Sequence, residues 1–426
     1  MKIQKILKRL LQLHPKSVDL SLRRIKRLLK DLSNPEKKIE NAIQVVGTNG
    51  RFSFCTTLRE IFETAGYKVN MNISPSLKKF NERYYILGKY ISDKKLNKLL
   101  LEVEEINNGK SITFHEFICA CFFLEASRNK ADVNILESGL FFRLDASNVL
   151  EKNIASIIMP IGIDHKDFLK KGTIDEIVYE KCSHLLNDSK IIVSKQKNLV
   201  LEKIKKNIKN NSSTKIFFKE HFTYQKNKKG FIYKDAFGKI KLPLPNLYGD
   251  FQISNISTAI STIRNLNNFK VENMHIKKAI TKIRSEGRLQ KIATGKLRNY
   301  VSKNNKILID GGHNPLAALE IKKYLKNLNS KKKIIVLLAM MINKDHEQFI
   351  KILKNSIHSI VALDIPNQIN FMPKEKLAKI AITNGITSKT EVTIQSALKN
   401  ISKKDSDAII FCTGSLYFAG EILNLN

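Results

Sequence analysis

Acidic residues are scarce in this chain: 39 Asp and Glu stand against 74 Lys and Arg, a formal net charge of +35. Such a balance draws anions, among them nucleotides, polycarboxylates, nucleic acid and acidic lipid. The lysines are spread through every segment, and the longest runs, QKNKKG at 225–230 and SKKKI at 330–334, read as solvated turns. Neither a basic recognition helix nor an aromatic stacking motif accompanies the charge, which argues against a nucleic-acid-binding protein. Cysteine is thin as well. Cys55, Cys119, Cys121, Cys182 and Cys412 form no CxxC pair and are odd in number, which argues against a disulfide framework and a zinc knuckle and suits a reducing cytoplasm. Long apolar runs are missing too: FICACFFL at 117–124 is too short to span a bilayer and reads as buried helix packing. The start, MKIQKILKRLLQLHPK, spaces Ile3, Ile6, Leu7, Leu10 and Leu11 as on one helix face, without an apolar signal core or a small-residue cleavage site. It reads as a helix docked on its domain, with a membrane-surface helix as the alternative. Internal repeats and structureless linkers are absent.

What is present is the composition of a folded enzyme-sized protein. Apolar residues make up 42% and charged residues 27% of 426 positions, so wholesale disorder is excluded and two or three domains are expected. From residue 41 strands and helices alternate: AIQVVG, the helix SFCTTLREIFETAG, YKVNMNIS, two helices over 92–107 and 113–128, DVNILES, ASIIMPI, the helix TIDEIVYEKCSHLL, and KIIVSK. That alternation predicts a mainly parallel sheet covered on both faces, with sites at the carboxyl ends of its strands. Between 200 and 245, KIFFKEHFTY and GFIYKDAFG suggest a small antiparallel excursion, followed by the helix ISNISTAISTIRNL. A second alternation then begins with KILID, a helix from Pro315, KIIVLLAM, SIVALDI, a helix near 374–384, EVTI as a strand, and DAIIFCTGS. The expected fold is therefore α/β: a parallel-sheet, P-loop-like ATPase domain over 1–295, including the first helix, and a smaller Rossmann-like α/β domain over 296–426.

Several strand ends carry chemistry. GTNGRFS at 47–53 is a strand-to-helix turn whose amides and helix N-terminus suit phosphate oxygens, although Val45 and Arg51 break the strict P-loop spelling; an ordinary glycine turn is the alternative. NILESGLFFRLDASN ends a strand on Glu137 and reaches Asp145, oxygen donors of the kind that Mg²⁺ takes, or else exposed acids. IGIDHKDF places Asp164 and His165 after another strand, and YEKC follows with Lys181. ILIDGGHNP repeats the geometry with Asp310, His313, Asn314 and Pro315, and FCTGS does so with Ser415.

Taken in this order, the segments resemble the folylpolyglutamate synthase and dihydrofolate synthase family of the Mur ligase superfamily, across nearly the whole chain. The segments that carry the resemblance are LHPKSVDLSLRRIKRLL, VVGTNG, SPSLKKFNERYYI, ESGLFFRLDASNV, PIGIDHKDFL, YEKC, EGRLQ, DGGHNP, NKD and TGSLYFAG. The resemblance implies ATP-dependent joining of glutamate to dihydropteroate or to a folate through an acyl phosphate. It implies that Gly47, Thr48, Asn49, Gly50, Arg51 and Ser53 surround the triphosphate, with Asn255 at the adenine and Arg288 and Asp310 also reaching the nucleotide. Ser74 and Glu137 would ligate Mg²⁺, while His165 and a carbamylated Lys181 would serve a second cation, monovalent or divalent. Thr113, His115 and Asp145 fall at the folate, and Arg83, His313 and Ser415 at the incoming glutamate. Lys181, His165, Arg288 and His313 would act in catalysis. The implied partners are ATP, L-glutamate and the pteroate or folate acid, with neither nucleic acid nor membrane, in a cytoplasmic monomer. A catalytically impaired nucleotide- or folate-binding relative and another Mur-type amide ligase are the alternatives. Against the usual family pattern, Arg51 stands for lysine, Phe52 for glycine, Phe141 and Phe142 for two glycines, Ser76 for histidine, and His115 for an aromatic.

Overall fold

The computed structural model describes residues 3–16, 18–328 and 331–426. Met1 and Lys2 of the amphipathic start, Ser17 of the LHPKSVDL segment, Asn329, and Ser330 of the second basic run lie outside the described residues. The chain forms two compact units: Met1–Ile161 with Thr173–Asn246 and Ile253–Ile283, and Gly162–Gly172 with Leu247–Gln252 and Arg284–Asn426.

The first unit is built on eight strands: β1 (Ala42–Val46), β2 (Val69–Asn72), β3 (Tyr84–Ile86), β4 (Lys89–Tyr90), β5 (Val133–Glu137), β6 (Ala155–Ile158), β7 (Lys190–Val193) and β8 (Thr214–Phe217). They lie in the order β4-β3-β2-β5-β1-β6-β7-β8, parallel except for the β2-β3-β4 meander at one edge. Central strands such as β1 and β5 are buried along their whole length, as the apolar runs AIQVV and VNILE require of a sheet covered on both faces. Register puts Val45 opposite Glu137, so the turn after β1 and the end of β5 stand side by side. The helices Asp93–Asn107 and Phe114–Arg128 begin at Ser92 and Thr113, whose hydroxyls accept from Lys95 and Glu116 amides. FICACFFL lies in the second of these and is wholly buried, and all five cysteines are buried and unbridged. The helix Ile3–Leu10 buries Ile6 and Leu10 in the same core, as the docked reading of the amphipathic start expects. Among the described residues no helix is long and apolar enough to cross a membrane.

The antiparallel excursion is present as β9 (Phe222–Lys226), β10 (Gly230–Asp235) and β11 (Gly238–Pro243). One of its expected segments belongs elsewhere. KIFF pairs in parallel with β7 as β8, because its buried Ile216 and Phe217 extend the main sheet, and the chain reverses only at 218–222. Arg264 then pins the small sheet to the helix Asp250–Arg264 through a buried ion pair with Asp235 at 2.7 Å.

The second unit holds β12 (Gln290–Ile292), β13 (Lys306–Ile309), β14 (Ile334–Leu338), β15 (Ser359–Ala362), β16 (Thr387–Thr390) and β17 (Ile409–Thr413), ordered β12-β13-β17-β14-β15-β16 and parallel except for β12. The strand expected at EVTI is displaced. Strand pairing ends at Thr390, and Thr393 instead caps the helix Ile394–Lys404 by a reciprocal bond with Ser396, so Ile394 enters a helix. The α/β expectation for both sheets otherwise matches what is observed.

Candidate active site

In the first unit, the chain leaves β1 through two left-handed glycines. Gly47 has φ 149°, and a Cβ there would lie 2.7 Å from the Met159 Cβ; Gly50 has φ 82°, and its Cβ would lie 2.8 Å from Asn255 Oδ1. Both positions need glycine, and the second sets Asn255 beside the turn. Thr48 and Asn49 amides donate to Pro160 O at 2.9 and 3.1 Å, which fastens the turn to the end of β6. The helix Arg51–Thr64 follows, its first turn amide bond running from Phe54 to Gly50 O at 2.9 Å. Its N-terminus carries the partial positive charge of aligned peptide dipoles, the feature that makes such turns anion sites. Ser53 is buried in that first turn. Phe52 is helical, so the bulky residue at the family's glycine position imposes no left-handed strain.

Arg51, Ser74, Arg83 and Glu137 come together at the end of β5. The Arg51 Nε lies 3.3 Å from Glu137 Oε1, and its Nη1 donates to the carbonyls of Ser138 and Gly139. The Ser74 amide donates to Glu137 Oε2 at 3.2 Å, and Arg83 donates to Ser74 Oγ at 3.2 Å. Lys181, on the helix Ile174–Cys182, is buried and donates to Gly47 O at 3.0 Å and Leu140 O at 2.5 Å, with the Phe141 ring 5.5 Å from its Nζ. Phe141 and Phe142 are themselves buried, and the Phe142 and Arg143 amides bond to Glu180 O. The two phenylalanines thus anchor the 139–143 loop to that helix.

His115 and Asp145 form a second cluster. Asp145 accepts from Gly139 N at 2.9 Å, Ser147 N at 2.9 Å and Ser147 Oγ at 2.6 Å, and lies 3.3 Å from His115 Nε2. Burial disfavours charge on both. On His115 it is outweighed by the Cys119 thiol and Asp145, which together hold the ring pKa well above its ordinary value. On Asp145 it is outweighed by His115 and the Ser147 donors, which hold the carboxyl below its usual range. The Thr113 hydroxyl, at the start of the helix that carries His115, is engaged in the capping box with Glu116.

In the second unit the cluster centres on Asp164. Lys344 Nζ lies 2.7 Å from its Oδ1, Asn314 Nδ2 donates to its Oδ2 at 2.9 Å, and His313 Nε2 stands 3.4 Å away. Burial pushes the Asp164 carboxyl up, but His313, His165 and Lys344 overcome it and leave the pKa well below the usual value. His165 follows Asp164 in a left-handed conformation, φ 54°. Nearby, Asp310 accepts from Gly312 N at 2.7 Å and Leu289 N at 2.9 Å, with burial raising its pKa against the opposing charge of Arg288. Gly414 N bonds to Gly312 O at 3.0 Å, bringing the His313 turn beside Ser415, whose hydroxyl caps the helix Leu416–Leu425. Of the expected metal ligands, Ser74, Glu137 and Lys181 belong to the first unit and His165 to the second. Among the described residues no group of three or more His, Cys, Asp or Glu stands poised around a metal ion.

Residues 293–425 match the family described as dihydrofolate synthetase, C-terminal domain. The dihydrofolate synthase/folylpolyglutamate synthase of Buchnera aphidicola (Acyrthosiphon pisum) is 31% identical over 404 residues, covering 89% of this chain and 88% of that protein. The chain belongs to the dihydrofolate synthase/folylpolyglutamate synthase family. The Bacillus subtilis member is 28% identical over 428 residues, with 94% of each chain covered. In fold, the chain matches Escherichia coli FolC in complex with DHPP and ADP with a TM-score of 0.89 at 22% identity, covering 100% of this chain and 97% of that one. It matches the Yersinia pestis bifunctional enzyme, complexed with AMPPNP and Mn ion, with a TM-score of 0.87 at 21% identity, covering 100% and 98%.

Within this family frame, two participants escaped the sequence reading, Lys344, visible only as part of NKD, and Gly139, visible only as one letter of ESGLFF; Asp164 was named at its strand end but given no role. Gly139 has no room for a side chain, since a Cβ would lie 2.7 Å from Asp145 Oδ2 and 2.8 Å from His115 Nε2. A glycine two residues after a strand-end acid was the available signal.

Proposed function

We infer that this chain is an ATP-dependent ligase that joins L-glutamate to the carboxylate of dihydropteroate or of a folate. Membership of the family across 89% of the chain carries the reading; the glycine turn facing Glu137 supports it. A carboxylate is a poor electrophile. In the proposed reaction its oxygen attacks the γ-phosphorus of ATP, the bond to ADP breaks, and an acyl phosphate forms. The glutamate amine then adds to the acyl carbon, and the tetrahedral intermediate expels phosphate as the amine loses a proton. Such transfer depends on positioning and charge neutralisation.

The residues have the chemistry for these tasks. Gly47 to Ser53 and the helix N-terminus would receive the phosphates, with Asn255 beside them toward the base. Arg288 and Asp310 of the second unit would also serve the nucleotide, and His313 and Ser415 the glutamate, with Arg83 of the first unit assigned there as well. Asp145 and His115 would meet the acid substrate's ring system. Glu137 and Ser74, which the Ser74 amide holds together, carry oxygen donors of the kind a hard divalent cation takes, and we take that cation to be Mg²⁺. When bound it would neutralise charge on the transferred phosphoryl group. Lys181 as an amine donates to two carbonyls and offers no ligand atom; a carbamate on it would. The reading extends to a monomer in a reducing cytoplasm, which five buried, unbridged cysteines suit.

The test is a substrate matrix of dihydropteroate, tetrahydrofolate and a UDP-linked cell-wall precursor, each with and without glutamate, scored by ADP release. Release that requires both a pteroate or folate acid and glutamate supports the assignment. Release only with the UDP-linked acid points to another amide ligase, and ATP binding without turnover under any pairing points to an impaired relative.

A further inference from the structure

The Arg51 side chain ends on a cluster made entirely of oxygen. Its guanidinium meets one Glu137 oxygen at 3.3 Å, the carbonyls of Ser138 and Gly139, and the Ser138 hydroxyl at 3.4 Å. The side chains of Arg51 and Glu137 are 14% and 4% exposed. A carboxylate, two carbonyls and a hydroxyl within one group's reach form a donor set that a hard divalent ion also favours. Here a planar cation with five donors spans it, where a lysine, with three donors on one nitrogen, could not make the same fork. Two cations cannot share this shielded carboxylate without strong repulsion.

We propose that Arg51 competes with the divalent cation for Glu137, holding the carboxylate until a nucleotide's phosphates draw the guanidinium away, so that cation binding depends on nucleotide. Arg51 is the first residue of the helix that opens on the glycine turn, so its backbone already stands at the phosphate site while its side chain reaches to β5. The same contact touches the acid-substrate side. The Gly139 carbonyl takes Arg51 and the Gly139 amide donates to Asp145, so one residue links the two clusters. The nucleotide's part in this rests on the ligase reading above; the competition itself is a property of the chain.

Mn²⁺ titrations followed by electron paramagnetic resonance test it on the full chain, with and without AMPPNP, for wild type, Arg51→Lys, Arg51→Met and Arg51→Met with Glu137→Gln. Without nucleotide, Arg51→Met is expected to bind Mn²⁺ about tenfold or more tightly than wild type, within the usual range of coupling between two ligands. Glu137→Gln should erase that gain. AMPPNP should tighten Mn²⁺ on wild type far more than on Arg51→Met. Arg51→Lys, which keeps the charge, should fall between the two and carries the test if the methionine variant does not fold. Equal Mn²⁺ affinity in wild type and both Arg51 variants without nucleotide overturns the proposal. Competition without any AMPPNP effect keeps the competition and overturns the nucleotide's role.

Discussion

Replacing His115 with phenylalanine restores the aromatic usual in the family and removes the cation facing Asp145. The structure dictates how the cost should vary with pH. His115 Nε2 lies 3.3 Å from Asp145 Oδ2, with the side chains 30% and 4% exposed. Breaking a fully buried ion pair costs about 3–5 kcal/mol, and the partial exposure of the ring reduces this to roughly 1–3 kcal/mol, since Asp145 keeps its Gly139 and Ser147 donors. In a domain of this size that is a melting shift of about 2–4 °C per kcal/mol. The His115 pKa is raised in the folded state. Its contribution is therefore fully present below the unfolded value of about 6.5 and is lost as pH rises through the higher folded value. The Asp145 pKa is lowered, so its own contribution persists above an unfolded value of about 3.9 and disappears only as pH falls through the folded one. Urea denaturation of wild type and variant at matched pH values should show the largest gap near pH 6 and a steady narrowing in alkaline buffer. A gap that stays constant or widens with rising pH refutes the ion-pair account.

Three other perturbations follow from the same contacts. Asp164→Ala leaves Lys344 and His313 facing one another without their shared carboxylate and should destabilise the second unit by about 3–5 kcal/mol, measured by urea unfolding; a loss below 1 kcal/mol contradicts it. Because the Asp164 pKa is depressed, the wild-type advantage should be complete above the unfolded value of about 3.9 and be lost as pH falls from there through the lower folded value. Gly50→Ala forces a left-handed alanine, a strain of about 1–2 kcal/mol, and drives its Cβ toward Asn255; nucleotide affinity measured by calorimetry should fall while the circular dichroism spectrum is retained. Asp235→Ala leaves Arg264, on its helix, without its carboxylate partner in the small antiparallel sheet, so the melting temperature should drop with kcat/KM for each substrate unchanged, and a specific loss in kcat would contradict that purely structural role.

The alternating strands and helices were legible because parallel strands covered on both faces are mostly apolar, as AIQVV and KIIV are apart from Gln44 and Lys190. The glycine turn was legible for a similar reason: only glycine tolerates the backbone at 47 and 50. The β3-β4 meander was not, since Tyr84–Ile86 and Lys89–Tyr90 are too short to show a period. KIFF was grouped with the antiparallel excursion because an edge strand and a hairpin strand have the same local composition, and only pairing with β7 separates them. Asp164 was seen but not weighed. Its partners Asn314 and Lys344 lie 150 and 180 residues along the chain, and no local pattern carries such a contact. The engagement of Arg51 with Glu137 was hidden likewise, because no local pattern pairs an arginine at a glycine turn with an acid that ends a different strand.

The central claim is that the acid is activated by becoming a phosphoryl acceptor before glutamate arrives. Single-turnover reaction of dihydropteroate labelled with ¹⁸O in its carboxylate, with ATP and glutamate, tests this through the mass of the phosphate released. The account predicts that one labelled oxygen passes from the acid to inorganic phosphate for each amide bond formed. Unlabelled phosphate accompanying amide formation would contradict it.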